Sequence, residues 1–187
     1  MEIAKEIVEI IQGLPLPKLI GISGFGGSGK STFAKALGSA IDAPVIGVDS
    51  FLRDGVLDAQ YKLWEIVDFA RLDREVLQAF LNKDKAIQYG HFNIPSKAIL
   101  EMIDVKNAGQ LIVEGIGLFR PKLLKYFSYK IWIDCPLETA ILRGKKRDRE
   151  EYYSPSDECW DGIWRENDIQ YLQTFEPKKI ADLIIPN

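Results

Sequence analysis

Short apolar runs rich in β-branched residues recur along the chain: LIGIS at 19–23, PVIGV at 44–48, LIVE at 111–114, YKIWID at 129–134 and DLIIP at 182–186. Near-continuous runs of this length predict strands buried on both faces. Between them lie segments with apolar residues at helical spacing, at 31–41, 73–82, 94–103, 137–147 and in a stretch after Trp160. Proline supports two of the starts, because its fixed φ suits a first helical turn: Pro136 opens the helix from Leu137, and Pro95 stands at the start of one near Ser96. Strands alternating with helices predict an α/β fold on a parallel sheet. Residues 51–68 and 143–156 are less regular, as lids and binding loops often are.

No repeat or low-complexity segment divides the 187 residues, so a single domain over 1–187 is expected. The leading stretch MEIAKEIVEIIQ is interrupted by Glu2, Lys5, Glu6 and Glu9, which argues against a signal-peptide core or a membrane span. No later apolar run approaches the roughly 18 residues a span needs. A cytoplasmic protein without a membrane partner is the expectation. A net charge of −3 supplies no positive field for polymeric nucleic acid. Cys135 and Cys159 lie far apart in a chain with one histidine, which leaves no zinc set, and both read as small apolar residues.

The chemistry begins at GFGGSGKS, residues 24–31, which fits GxxxxGK[ST] between a predicted strand and a predicted helix. Such a loop curls its backbone N–H groups around phosphate oxygens, using angles that side-chain-bearing residues tolerate poorly. Gly24, Gly26, Gly27, Ser28, Gly29, Lys30, Ser31 and Thr32 are the expected nucleotide-binding residues. Lys30 would reach the β- and γ-phosphates, Ser31 would ligate Mg²⁺, and the positive end of the following helix would face the anion. The string VEGIG after the third run and the misspaced Asn82-Lys83-Asp84-Lys85 disfavour a guanine-specific switch. GVDSF places Asp49 at the carboxyl end of the second predicted strand, where it can deprotonate an acceptor hydroxyl or help to hold Mg²⁺. The alternative for Asp49 is an N-cap for a short helix at Ser50.

Taken in order, GISGFGGSGKSTFAKAL, VIGVDSFLRD, LIVEGIGLF, ILRGKKRDRE and KKIADLIIPN resemble the uridine kinase-like P-loop kinases, relatives of phosphoribulokinase and bacterial pantothenate kinase. The resemblance runs from residue 19 to 187 and implies a five-stranded parallel sheet of order 2-3-1-4-5 with a lid near 143–156. It also implies Asp49 as the base for the acceptor hydroxyl and Glu114 near Mg²⁺ or its waters. Lid arginines that close over the phosphates would be Arg143, Arg147 and Arg149. Arginine's fork of donors matches phosphate oxygens, and a closing lid shuts out water that would otherwise take the phosphate. The competing explanation is a solvated helix end, since basic and acidic residues alternate through this stretch.

The acceptor segments depart from the family pattern. LWEIVDFARLD lacks the His-Pro pair of uridine kinases, leaving Asp68 as the nearest match to the carboxylate that binds ribose hydroxyls; otherwise Asp68 belongs to a turn before the next helix. IQYGHFNIPSK occupies the place of the family's nucleobase stretch, which makes Tyr89, His91 and Phe92 candidates for stacking or bonding, against a packing role for the aromatics. Trp160 and Trp164, four apart, read as packing residues. The expectation is an ATP- and Mg²⁺-dependent kinase in which Lys30, Asp49, Arg143 and Arg147 act on the transfer, Ser31 and Glu114 on the metal, and Asp49, Asp68, Tyr89 and His91 on a small-molecule acceptor. A pyrimidine nucleoside heads the acceptors, followed by pantothenate, a sugar phosphate or another metabolite. An ATP-binding regulatory protein without transfer activity is the alternative from another class. Monomer and homo-oligomer are equally compatible.

Overall fold

The computed structural model describes residues 3–53, 61–151 and 156–187. Its strands are β1 (Lys18–Gly24), β2 (Val45–Gly47), β3 (Ala86–Asn93), β4 (Ala98–Lys106), β5 (Gln110–Glu114), β6 (Tyr129–Asp134) and β7 (Leu183–Pro186). Five of them pair in parallel in the order β2-β5-β1-β6-β7, while β3 and β4 form a separate antiparallel hairpin. Counted among themselves the parallel strands follow the order 2-3-1-4-5, as the family resemblance implies. Every residue of β1 is buried, because it runs between β5 and β6 with a layer on each face.

The helices are α1 (Lys5–Gly13), α2 (Lys30–Ile41), α3 (Phe69–Leu72), α4 (Gln78–Leu81), α5 (Pro121–Leu124), α6 (Leu137–Glu150), α7 (Asp157–Asp161), α8 (Ile163–Phe175) and α9 (Pro177–Ile180). On one face of the sheet, Ile20, Ile22, Ile112 and Ile131 pack with Phe33 and Leu37 of α2. On the other, Leu19, Val113 and Trp132 pack with Leu72, Phe119 and Tyr171. The split follows the pleat, which sends successive side chains of a strand to opposite faces. No helix among the described residues is long and apolar enough to cross a membrane.

Three local expectations are corrected. The segment 94–103 is not helical, and Pro95 does not start a helix. It lies in a turn where Asn93 Oδ1 accepts from the Ser96 N–H at 3.0 Å and the Ser96 hydroxyl at 2.8 Å, and β4 follows. The short run AILEMI satisfies either period. The alternation from its end onward, with Met102 and Asp104 exposed and Ile103 and Val105 half-buried, belongs to a strand. Residues 143–150 are regular, because α6 continues to Glu150; of the rest of 143–156, residues 152–155 lie outside the described residues. The helix expected at 73–82 starts earlier, at α3, and passes through a π turn at Asp73–Leu77 into α4.

Candidate active site

The carboxyl ends of the parallel strands place Gly24, Gly47 and Glu114 on one edge of the sheet, with the 24–31 loop leading from β1 into α2. Gly27 and Gly29 have φ of 76° and 90°, the left-handed region in which glycine is at ease. A Cβ on Gly27 would lie 2.1 Å from the backbone oxygen of Ala140, so α6 closes one side of the loop and only glycine passes there. Gly27→Ala is therefore expected to lose roughly 1–3 kcal/mol or more of stability and most Mg-ADP affinity. Thermal unfolding and calorimetric titration measure the two.

Lys30 is buried, and its Nζ donates to the Phe25 carbonyl at 3.1 Å, folding the side chain back over the loop. The Ser28 hydroxyl is buried and has no partner in the structure. An orphaned hydroxyl beside backbone N–H groups in a glycine loop fits a bound polyphosphate. Next to the loop, a cleft of about 630 Å³ is lined by Phe25, Cys135, Leu137, Leu172, Pro186 and Asn187. Its mostly apolar walls suit the flat base of a nucleotide whose phosphates fill the loop. The sequence did not reveal this cleft, which is assembled from segments 160 residues apart.

Glu114 lies at the end of β5, buried, with the Ser31 hydroxyl among the groups that pull its carboxyl down. Burial pushes its carboxyl above the ordinary range; Lys30 pulls the other way, and Asp49 pushes it up further. Three oxygen donors on Ser31, Glu114 and Asp49 thus share one electrostatic neighbourhood, and hard oxygen donors of this kind fit Mg²⁺. Asp49 is exposed in a 3₁₀ turn, Val48–Phe51, which has Gly47 at its N-cap position and no side-chain cap, so the capping alternative for Asp49 does not apply.

Beyond Asp49 stands a wall from the hairpin. The Ser50 hydroxyl meets His91 Nδ1 at 3.0 Å, and the Tyr89 ring tilts against Phe51 with centroids 5.4 Å apart. Burial raises the Tyr89 phenol above its usual range, and Ser50 pulls it back. Phe92 is 1% exposed and packs in the core, which removes it as a stacking surface. Asp68 caps α3, its Oδ1 accepting from the Arg71 N–H at 3.0 Å, with Oδ2 3.7 Å from Arg53, so its turn role is real.

The three arginines lie on the last turns of α6. Arg143 is exposed, its Nη1 3.6 Å from Cys135 Sγ in the wall of the cleft. Arg147 donates to Asp148 Oδ1 from Nε at 3.2 Å and Nη2 at 2.9 Å, and Arg149 pairs with Asp157. Trp160 packs edge-on to Trp164 with centroids 4.9 Å apart and donates to Asp148 Oδ2 at 2.7 Å, as packing residues do.

Four polar residues that sequence reasoning missed hold this arrangement. Arg71 is buried and donates to the Ser50 carbonyl and, at 3.1 Å, to the Gly90 carbonyl, which fastens the hairpin to the Asp49 turn. From α8, Asn167 accepts from the Trp64 N–H at 3.0 Å, and Asp168 accepts from the Gly26 N–H at 3.1 Å. The Tyr171 hydroxyl accepts from the Phe119 N–H at 2.8 Å and lies 3.3 Å from the Ser23 hydroxyl. The Asp168 carboxyl is pushed up to about 7 by burial, against the pull of Lys30, the Gly26 N–H and the Trp64 indole.

Residues 20–172 match the family model described as an AAA domain. The uridine kinase of Clostridium botulinum (strain Okra / Type B1) is 30% identical over 186 residues, covering 91% of this chain and 88% of that protein. Among solved structures, one described as a possible uridine kinase from Bacillus stearothermophilus superposes with a TM-score of 0.72 at 17% identity, covering 96% of this chain and 95% of the other. A second, provisionally named a fructose transport system kinase, from Silicibacter sp. TM1040, gives 0.71 at 21% identity, covering 97% and 98%.

Proposed function

The chain belongs to the uridine kinase-like P-loop kinases and is a small-molecule kinase; from that premise we propose that it transfers the γ-phosphoryl group of Mg-ATP to the 5′-hydroxyl of a pyrimidine nucleoside. The observation that carries the proposal is the placement of Asp49. An exposed carboxylate shares its electrostatic neighbourhood with Lys30, Ser31 and Glu114, and Ser50, His91 and Tyr89 line the far side. In the transfer, Asp49 takes the proton of the acceptor hydroxyl as its oxygen bonds to the γ-phosphorus, and the bond to the bridging oxygen breaks to release ADP. Lys30 keeps the Phe25 carbonyl with one N–H and turns its other donors to the phosphate oxygens, where it meets the charge that develops. Ser31 and Glu114 would hold Mg²⁺, which supplies positive charge against the phosphates.

Residues 143–156 form the lid of a single kinase domain, bringing Arg143 and Arg147 over the phosphates on closure. Arg147 then exchanges its bond to Asp148 for a phosphate oxygen. His91 and Tyr89 meet the nucleobase, and Asp68 turns a carboxylate oxygen to the ribose hydroxyls.

Pantothenate, a sugar phosphate or another metabolite is the second acceptor class, because LWEIVDFARLD departs from the uridine kinase pattern by lacking the His-Pro pair. ADP release is measured with uridine, cytidine, fructose, pantothenate and sugar phosphates, each against ATP alone. Uridine or cytidine is expected to raise turnover by at least ~10²-fold over water. A folded protein that hydrolyses ATP at one rate whatever is added would mark a regulatory ATPase and end the kinase proposal.

A further inference from the structure

Asp168 has no part in that scheme, yet it is 1% exposed and both its oxygens are engaged. Oδ2 accepts from the Gly26 N–H at 3.1 Å and Oδ1 from the Trp64 indole N–H at 2.9 Å. The Gly26 N–H shares a peptide plane with the Phe25 carbonyl, and a trans peptide points the two in opposite directions. On the far side of that plane, the Phe25 carbonyl accepts from the Ser28 N–H at 3.0 Å and from Lys30 Nζ at 3.1 Å. Asp168 is thus one rigid peptide away from the lysine.

The other oxygen leads to the Asp49 turn. Trp64 and its neighbour Leu63 have φ of 60° and 52°, a conformation that side-chain-bearing residues keep only when their surroundings hold them. Asn167 and Arg120 do so, through the Trp64 N–H at 3.0 Å and the Leu63 carbonyl at 2.8 Å. From there Val67 bridges Leu52, and the Asp68 N–H donates to the Phe51 carbonyl at 2.7 Å, which reaches the turn that carries Asp49. A carboxylate is costly to bury, and an apolar side chain would fill the space. What an acid does that its neutral isostere cannot is accept from two N–H donors of separate segments at once. Asparagine would turn its own N–H against one of them.

We propose that Asp168 is a positioning residue for Lys30 that couples the acceptor-side segment 61–68 to the phosphate loop through the Phe25–Gly26 peptide. Displacing Trp64 releases Oδ1, loosens the hold on the Gly26 N–H and lets the Phe25 carbonyl turn away from Lys30. Filling the acceptor side therefore changes nucleotide affinity, and the converse follows by reciprocity. The inference takes only its ligands from the kinase function.

Mg-ADP is titrated calorimetrically into the wild-type protein, Trp64→Phe, Asp168→Asn and the double variant, and the Gly26 amide is followed in ¹⁵N–¹H spectra without nucleotide. Trp64→Phe is expected to weaken Mg-ADP about tenfold, the order of coupling within one hydrogen-bond network, and to move the Gly26 resonance. The double variant should bind no worse than Asp168→Asn alone. Wild-type affinity in Trp64→Phe, an unmoved Gly26 resonance or additive losses would overturn the coupling. If Asp168→Asn does not fold, the Trp64→Phe arms decide alone. A wild-type protein that ignores Mg-ADP excludes the kinase function, while the Gly26 resonance still decides the coupling.

Discussion

Asp49→Asn lowers phosphoryl transfer by ~10²–10⁴-fold while Mg-ADP binds within about twofold of wild type. The substitution is nearly isosteric and falls on an exposed side chain, in a turn held by the Arg71 bond to the Ser50 carbonyl rather than by Asp49 itself. The fold therefore has little reason to respond. What disappears is a group able to accept the proton of the attacking hydroxyl. A second effect accompanies it: Asp49 is one of the groups that push the Glu114 carboxyl up, so the amide variant keeps Glu114 ionised to lower pH. Single-turnover rates across a pH series separate these two effects from binding. Undiminished transfer in the variant would remove Asp49 from the base role.

The second large loss is expected at Lys30→Met, which retains most of the apolar stem and deletes the charge. Removing one preorganised donor to a developing charge costs ~10²–10³ in turnover. The bond from Lys30 Nζ to the Phe25 carbonyl lies within the loop, so the variant should fold, with a modest fall in melting temperature. Lys30 pulls down the carboxyl groups of both Glu114 and Asp168, and without it both take up protons at higher pH. Turnover and Mg-ADP affinity measured side by side check the prediction. An unchanged kcat would place the phosphate charge elsewhere.

The parallel sheet was legible because strands buried on both faces write themselves as continuous apolar runs, and β1, β5 and β6 do so. The phosphate loop was legible because backbone geometry at Gly27 and Gly29 constrains the residue type directly. The hairpin was not: AILEMI carries no decisive period, and Pro95 suits the Asn93–Ser96 turn as well as it suits a helix start. The polar residues of α8 escaped for a different reason. Trp164, Asp168, Tyr171 and Phe175 share one helical face, and a carboxylate within an aromatic stripe was the available sign that the stripe covers a polar network. Arg71 left no such sign, because a single basic residue near a helix start is ordinary on any surface.

The hairpin wall beyond Asp49 and the phosphate loop are carried by different sheets. The hairpin meets the Asp49 turn through Arg71, the Ser50–His91 contact and the Phe51–Tyr89 rings, while none of its strands pairs with the parallel sheet. Substitutions along β3 and β4 can accordingly drift without disturbing the loop that handles phosphate. Exchanges at Tyr89 and His91 would thus change what the wall beyond Asp49 touches and leave the backbone cradle at Gly24–Ser31 as it is.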